Sequence, residues 1–401
     1  MRGLKLAALL SLAVAACTQV EVVDSPEVTD LNALEMSAYV PTFSIAVDDS
    51  AFAEMSRLYL DDIEIEGVLD VHRGGEAVAL GQKVELQVKG NFSAAFPSKS
   101  LGVKFDRAHR DGAAGLMRFP HVRDGHTLRR VKSFRLRNGG NSFENTLIKD
   151  LAYARMVAAS DLDVVVLYGE PAATYVNGEF YSLHNLRTEN NANGLSRLLD
   201  IDEDRLSLAA VSYDDPLEVK EGREAYWRTL EDRLAEGDAE AVLAAVDQSS
   251  FIDFIVGGSL FGVWDWPWRN VRLYAVDEGP VRFVLYDFDL AARLNTDNTM
   301  VEHMRAGPMS PIRRLFEVCY ADAGFRERLE ARYAEVRASG TLSPDRLRKE
   351  LSAVAAVLDP VIAHQTKQYG FPTSTAQWYV DLEACVSDYT LRYTRLDERF
   401  E

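Results

Sequence analysis

Residues 263–289 decide how this chain is read: Val263-Trp264-Asp265-Trp266-Pro267-Trp268-Arg269-Asn270-Val271-Arg272-Leu273-Tyr274, a turn at Asp277-Glu278-Gly279-Pro280, then Val281-Arg282-Phe283-Val284-Leu285-Tyr286-Asp287-Phe288-Asp289. Pro267 has no backbone N–H to continue a helix, so Asp265 and Asn270 belong to an aromatic loop. The apolar runs on either side of the turn predict a hairpin, which delivers Asp287 and Asp289. Residues two apart on a strand face the same way, so both carboxylates are expected on one face. Just upstream, Phe251, Phe254, Ile255, Gly258 and Phe261 recur at helical spacing. They predict a core helix over 250–262 that delivers Asp265.

Working back toward the N-terminus, residues 42–137 alternate strand-like runs with turns. Phe43–Val47, Ile63–Val71, Val84–Lys89, Leu101–Phe105 and Val131–Leu136 predict an antiparallel sheet lobe, interrupted by a short helix at about 50–59. Between two runs, Gly90-Asn91-Phe92-Ser93 leads through Phe96-Pro97-Ser98 to Lys99. Two readings stand for it: a phosphate-contacting turn with Lys99 as a point charge, or a solvated turn with an edge lysine. In Phe134-Arg135-Leu136-Arg137-Asn138-Gly139-Gly140-Asn141 the two arginines alternate onto one face, and Asn138 opens a glycine pair that lets backbone approach a ligand. Asn-Gly is equally the commonest hairpin turn. A helix is expected over 143–159, with Glu144 the only acid near its start. Asn177-Gly178 predicts a tight hairpin, and Arg187-Thr188-Glu189-Asn190-Asn191 is either a substrate edge or a solvent loop.

From about residue 194 the pattern turns helical, over 194–199, 220–236, 238–246 and 250–262, and again over 309–401 with breaks near Gly340, Pro360 and Pro372. Ser343-Pro344 fits an N-cap followed by proline at the first helical position. The fold class is α+β, with a β-rich N-terminal lobe over 42–193 and a mainly helical C-terminal lobe over 194–401.

Acidic residues outnumber basic ones 62 to 44, a formal charge of −18, which disfavours nucleic acid as a partner. The seven histidines are scattered, so a zinc site is not expected. Residues 1–17 carry Arg2 and Lys5, a short apolar run Leu6–Val14, and Val14-Ala15-Ala16-Cys17. The run is too short to span a bilayer and reads as a secretory leader. It resembles a bacterial lipoprotein signal, which implies lipidation of Cys17, and Thr18 resembles the pattern sent to the outer membrane. Residues 18–41, with Pro26 and Pro41, are expected to be a tether. In an oxidising compartment Cys319 and Cys385 are a candidate disulfide, which would stabilise by about 4 kcal/mol.

A loop acid, an asparagine five residues on and a strand-borne acid follow the order of parts in protein kinases. Phosphoryl transfer needs charge neutralisation and in-line positioning more than covalent help. On this reading Asp265 orients an attacking hydroxyl, while Asn270 and Asp287 hold Mg²⁺ or Mn²⁺ through hard oxygen atoms. Asp289 is a second ligand or a support for the first. The alternative is a set of acids capping helices and hairpins beside a tryptophan-rich core.

With Gly90-Asn-Phe-Ser, Phe96-Pro-Ser-Lys-Ser, Phe134-Arg-Leu-Arg-Asn-Gly-Gly-Asn, Tyr175-Val-Asn-Gly-Glu-Phe-Tyr-Ser-Leu-His-Asn-Leu-Arg, Phe261-Gly-Val-Trp-Asp-Trp-Pro-Trp-Arg-Asn and Leu285-Tyr-Asp-Phe-Asp in order, the chain resembles the spore-coat-protein-H (CotH) family of atypical kinases over about residues 42–400. The resemblance implies a kinase-like bilobal fold and ATP-dependent phosphorylation of protein serines. By motif position it implies Asp265 as the catalytic-loop acid, Asn270 and Asp287 as metal ligands and Lys99 as the nucleotide lysine. Phe92 and Ser142 depart from the family's small polar residue and aspartate. The expected activity is therefore phosphorylation of Ser or Thr on an extracytoplasmic protein, with ATP and a divalent metal, by a chain held to the membrane only through lipid at Cys17. A noncatalytic adhesion or scaffold lipoprotein that keeps the fold is the second expectation.

Overall fold

The computed structural model describes residues 28–106, 119–120, 127–128, 131–167, 169–211, 216–293 and 297–398. The leader expected at 1–17, with Cys17, lies outside them, as do His109, His121 and His126. No helix among the described residues is long and apolar enough to cross a membrane.

The strands of the N-terminal half are β1 (Thr42–Val47), β2 (Glu64–Arg73), β3 (Glu76–Lys89), β4 (Ser100–Phe105), the short pair β5 (Phe119–Pro120) and β6 (Thr127–Leu128), β7 (Ser133–Arg137), β8 (Val165–Val166), β9 (Gly169–Val176) and β10 (Glu179–Thr188). The sheet lobe expected here is a closed barrel in the order β1-β2-β3-β4-β7-β10-β9. Its neighbours pair antiparallel except at the seam, where β1 runs parallel to β9 with Thr42 opposite Ala173. Alternation along these strands sends Phe43, Leu69, Leu86, Leu101, Val103, Phe134 and Leu136 into a common interior. Burying one such phenylalanine or leucine stabilises by about 1.5–3 kcal/mol.

A second sheet, β12-β11-β13-β14-β8, uses β11 (Leu206–Val211), β12 (Glu218–Glu221), β13 (Val271–Val276) and β14 (Arg282–Leu285). The β13–β14 hairpin matches expectation. The strand β11 and its pairing to β13 do not, because that region reads as helical. Asp287 and Asp289 lie beyond the end of β14, and Asp287 takes a left-handed backbone (φ 67°), so strand alternation is not what brings the two acids together.

Three helices matter most for the site: α1 (Lys149–Ala158), α2 (Gln248–Phe261) and α3 (Pro344–Leu358). The helix expected over 143–159 starts only at Lys149, which leaves Glu144 exposed on the preceding turns. Nine of the ten residues of α1 are buried, and Arg155 Nε donates to Glu350 Oε2 of α3 at 2.9 Å. The helix α2 is capped by Asp247, buried over Ser250–Phe261, and stopped by left-handed Gly262. In the C-terminal half the predicted punctuation holds: Ser343 accepts from Arg346 N with Pro344 at the first turn, and Gly340 ends the helix before it.

Two other expectations change. Cys319 and Cys385 are separate, free and buried thiols rather than a disulfide, and burial pushes the Cys319 thiol up to about 12. The tether expected to run to residue 41 is packed from about Thr29 onward. Tyr175 Oη donates to Leu31 O at 2.7 Å, Ala33–Met36 is a capped helical turn, and Met36 and Val40 are buried in the main core.

Candidate active site

The aromatic loop folds back on the helix that precedes it. The Trp266 indole lies flat against Gly258 of α2, where a Cβ would come within 2.2 Å of the ring, and its centroid is 4.3 Å from that of Phe254, with the rings tilted by 54°. That anchorage leaves Asp265 half-buried in the lining of a cleft, with Arg269 N donating to Asp265 O at 2.8 Å.

Asn270, also left-handed (φ 54°), donates through Nδ2 to Asp287 Oδ2 at 2.6 Å and to Asp265 Oδ2 at 3.3 Å. The loop acid, the amide and the acid after β14 therefore form one hydrogen-bonded group. Arg137, from the end of β7, donates to Asp287 Oδ1 and, at 2.7 Å, to Asp289 Oδ2. Asp289 is clasped further by Asn141, whose N–H reaches Oδ2 at 2.9 Å and whose Nδ2 reaches Oδ1 at 3.2 Å. Gly140 (φ 61°) permits this, since a Cβ there would sit 1.9 Å from Asp289 Oδ2. The glycine pair thus admits a carboxylate from across the molecule, and Asp289 serves as a joint between barrel and helical half.

Burial, with Asp289 and Asp150 nearby, pushes the Asp287 carboxyl up to about 6 against the pull of Arg137. Burial first, and then Asp287, raises Asp265 as well.

Two expected site residues do not enter the cleft. The Lys99 ammonium turns inward, donating to Ala94 O and Phe96 O at 2.8 Å each and lying 4.6 Å from the Tyr59 ring centroid. Asn138 is fully buried. It donates to Ser98 O at 2.7 Å and Ser93 O at 3.2 Å and accepts from Ser100 Oγ and Gly140 N, fastening the Gly90 turn to β7. Arg135 lines the cleft and is paired with Glu189 at 2.9 Å.

The lysine that does line the cleft is Lys89, at the end of β3, lying flat across Gly102 of β4. Its signal was present in the sequence, as the last residue of an alternating strand abutting Gly90. The cleft holds 440 Å³, the size of a small-molecule site. Six basic side chains (Lys89, Arg135, Arg137, Arg187, Arg269, Arg272) line it against three carboxylates. In a chain of net charge −18, that local reversal of sign marks a site for an anion.

Among the described residues no three His, Cys, Asp or Glu side chains are grouped so as to hold a metal; the group here is two carboxylates and an amide. No curated protein matches the chain. The family described as CotH kinase protein matches residues 86–395, which is 310 of the 401 residues and takes in every residue lining the cleft, and the chain belongs to that family.

Proposed function

We propose that the chain is a kinase-like phosphotransferase that moves the γ-phosphoryl group of ATP, with a divalent metal, to Ser or Thr of an extracytoplasmic protein. The barrel and the helical half serve as its two lobes, within the expected spans 42–193 and 194–401, and lipid at Cys17 holds it to the cell envelope. The observation that carries the reading is the convergence of Asp265, Asn270 and Asp287 in a cleft that six basic side chains also line.

The donor set suits Mg²⁺ or Mn²⁺: Asp265, Asp287 and the amide of Asn270 supply hard oxygen atoms, and the raised proton affinity of Asp287 marks negative charge in want of a cation. Asn270 and Asp287 would hold the ion, and neutralisation of the phosphoryl oxygens is the chemistry it contributes at such a site. The chain's own groups do the rest. Asp265 accepts the hydrogen bond of the acceptor hydroxyl and takes its proton, while Lys89, Arg135 and Arg137 face the phosphate chain.

Lys89→Ala is therefore expected to weaken ATP about tenfold, the value of a charge-assisted bond. Lys99→Ala should lower thermal stability and leave affinity within about twofold. Titration of both variants decides between the two lysines.

A second reading has its own support, because the Arg137 guanidinium already occupies Asp287 Oδ1 and Asp289 Oδ2 where a cation is expected. On that reading the chain is a noncatalytic surface lipoprotein. Thermal shift with ATP and Mn²⁺, with Asp287→Ala as control, followed by transfer of label from γ-³²P-ATP, separates the two. A shift that disappears in the variant, together with label on serine, is the expected result. No shift with any nucleotide and metal would sink the phosphotransferase reading.

A further inference from the structure

Arg187 on β10 lies opposite Arg135 on β7 and lines the cleft, yet is only 3% exposed. Its Nη2 reaches Asp150 Oδ2 at 3.4 Å, while its Nη1 has no hydrogen-bond partner. An idle N–H on a buried cation is costly and points to a partner that arrives with a ligand.

Asp150, in the first turn of α1, is 1% exposed. Its Oδ1 accepts from Phe288 N at 2.8 Å, inside Asp287-Phe288-Asp289. Its Oδ2 stands 3.4 Å from Arg187 Nη2 and 3.8 Å from Arg137 Nε, with no hydrogen bond of its own. One carboxylate from the helical half thus holds the backbone of the acidic segment and faces two guanidiniums from adjacent barrel strands. Burial disfavours charge on Arg187, and Asp150 is the main group that restores it.

We propose that Arg187 is an anion-reading residue of this cleft, its unengaged Nη1 binding a non-bridging oxygen of a di- or triphosphate chain, and that Asp150, 3.4 Å from its Nη2, is the positioning residue that holds Arg187 aimed. That the polyphosphate belongs to ATP rests on the phosphotransferase reading; the subsite does not. Asp150→Asn keeps an acceptor for Phe288 N but removes the charge that faces the arginines, so its effect travels through Arg187.

Calorimetric titration of the full chain with inorganic tripolyphosphate tests this in wild type, D150N, R187Q and the double variant. Each single change is expected to weaken binding about tenfold, and the double variant no further than R187Q alone, because the two act in series. Wild-type affinity in R187Q, a double variant whose loss is the product of the singles, or a wild type that does not bind tripolyphosphate overturns the proposal. If D150N does not fold, R187Q alone carries the test, since it breaks no backbone contact. Tripolyphosphate binding without label transfer from ATP would count against the phosphotransferase and leave this subsite standing. Transfer indifferent to R187Q does the reverse.

Discussion

Asp265→Asn is expected to lower phosphoryl transfer by a factor of about 10²–10⁴, the usual contribution of a positioned general base, while ATP affinity stays within about threefold. The geometry supports this split. Asp265 lines the cleft half-buried, and its link to Asn270 is a long 3.3 Å hydrogen bond that an asparagine oxygen still accepts. The variant therefore removes proton acceptance without dismantling the group that holds phosphate. A pH profile gives an independent check. Burial and the neighbouring Asp287 raise the Asp265 carboxyl above the ordinary carboxylate value, so the acid limb of the rate should lie above the usual carboxylate range and vanish in the variant. Single-turnover label transfer measures both. A rate unchanged by Asp265→Asn would remove this residue from the chemistry.

What the sequence carried and what it did not follow from the range of each signal. Period-two alternation gave the strands β3, β4 and β7, and the Pro-broken loop with the hairpin gave the acidic group, because these are local patterns. Barrel closure was not legible: it rests on parallel pairing of β1 with β9, about 130 residues away, and no local pattern records such a seam. The strand β11, Leu-Ser-Leu-Ala-Ala-Val, has one β-branched residue in six, so its propensity argues against the state that tertiary pairing imposes.

Motif position points to Lys99, whereas register brings Lys89 to the cleft: β3 and β4 pair so that the Lys89 stem crosses Gly102, while Lys99 precedes β4 and turns toward carbonyls. The helix expected from residue 143 starts six residues later, at Lys149, so the acid in its first turn is Asp150 rather than Glu144. The signal available for Asp150 is an acid, next to Lys149, set between the apolar pairs Leu147-Ile148 and Leu151-Ala152, since a buried carboxylate persists only where it is paired.

Asp287→Asn is expected to strengthen the fold and abolish transfer together. The folded-state carboxyl lies at about 6, above its ordinary 3.8, so between those values the native chain binds a proton that the unfolded chain has released. Stability from this group is therefore complete below about pH 4 and is lost as pH rises through 6. At pH 7.5 Asp287 is ionised beside Asp289 and Asp150 with Arg137 as partial compensation, at a cost on the order of 3 kcal/mol. Asparagine removes that cost. Urea denaturation at pH 4.5, 6 and 7.5 should show the variant more stable than wild type at neutral pH, with the gap closing toward pH 4.5. Saturating Mn²⁺ should narrow the neutral-pH gap from the other side, because an ion bound to the native wild type stabilises it by mass action and finds no carboxylate in the variant. A variant less stable at pH 7.5, or a gap indifferent to pH, would make Asp287 a structural partner of Arg137 and nothing more. An acid whose neutralisation both steadies the protein and silences its cleft is held there at the fold's expense, and the electrostatic gain it makes possible comes only when a cation and a phosphate arrive.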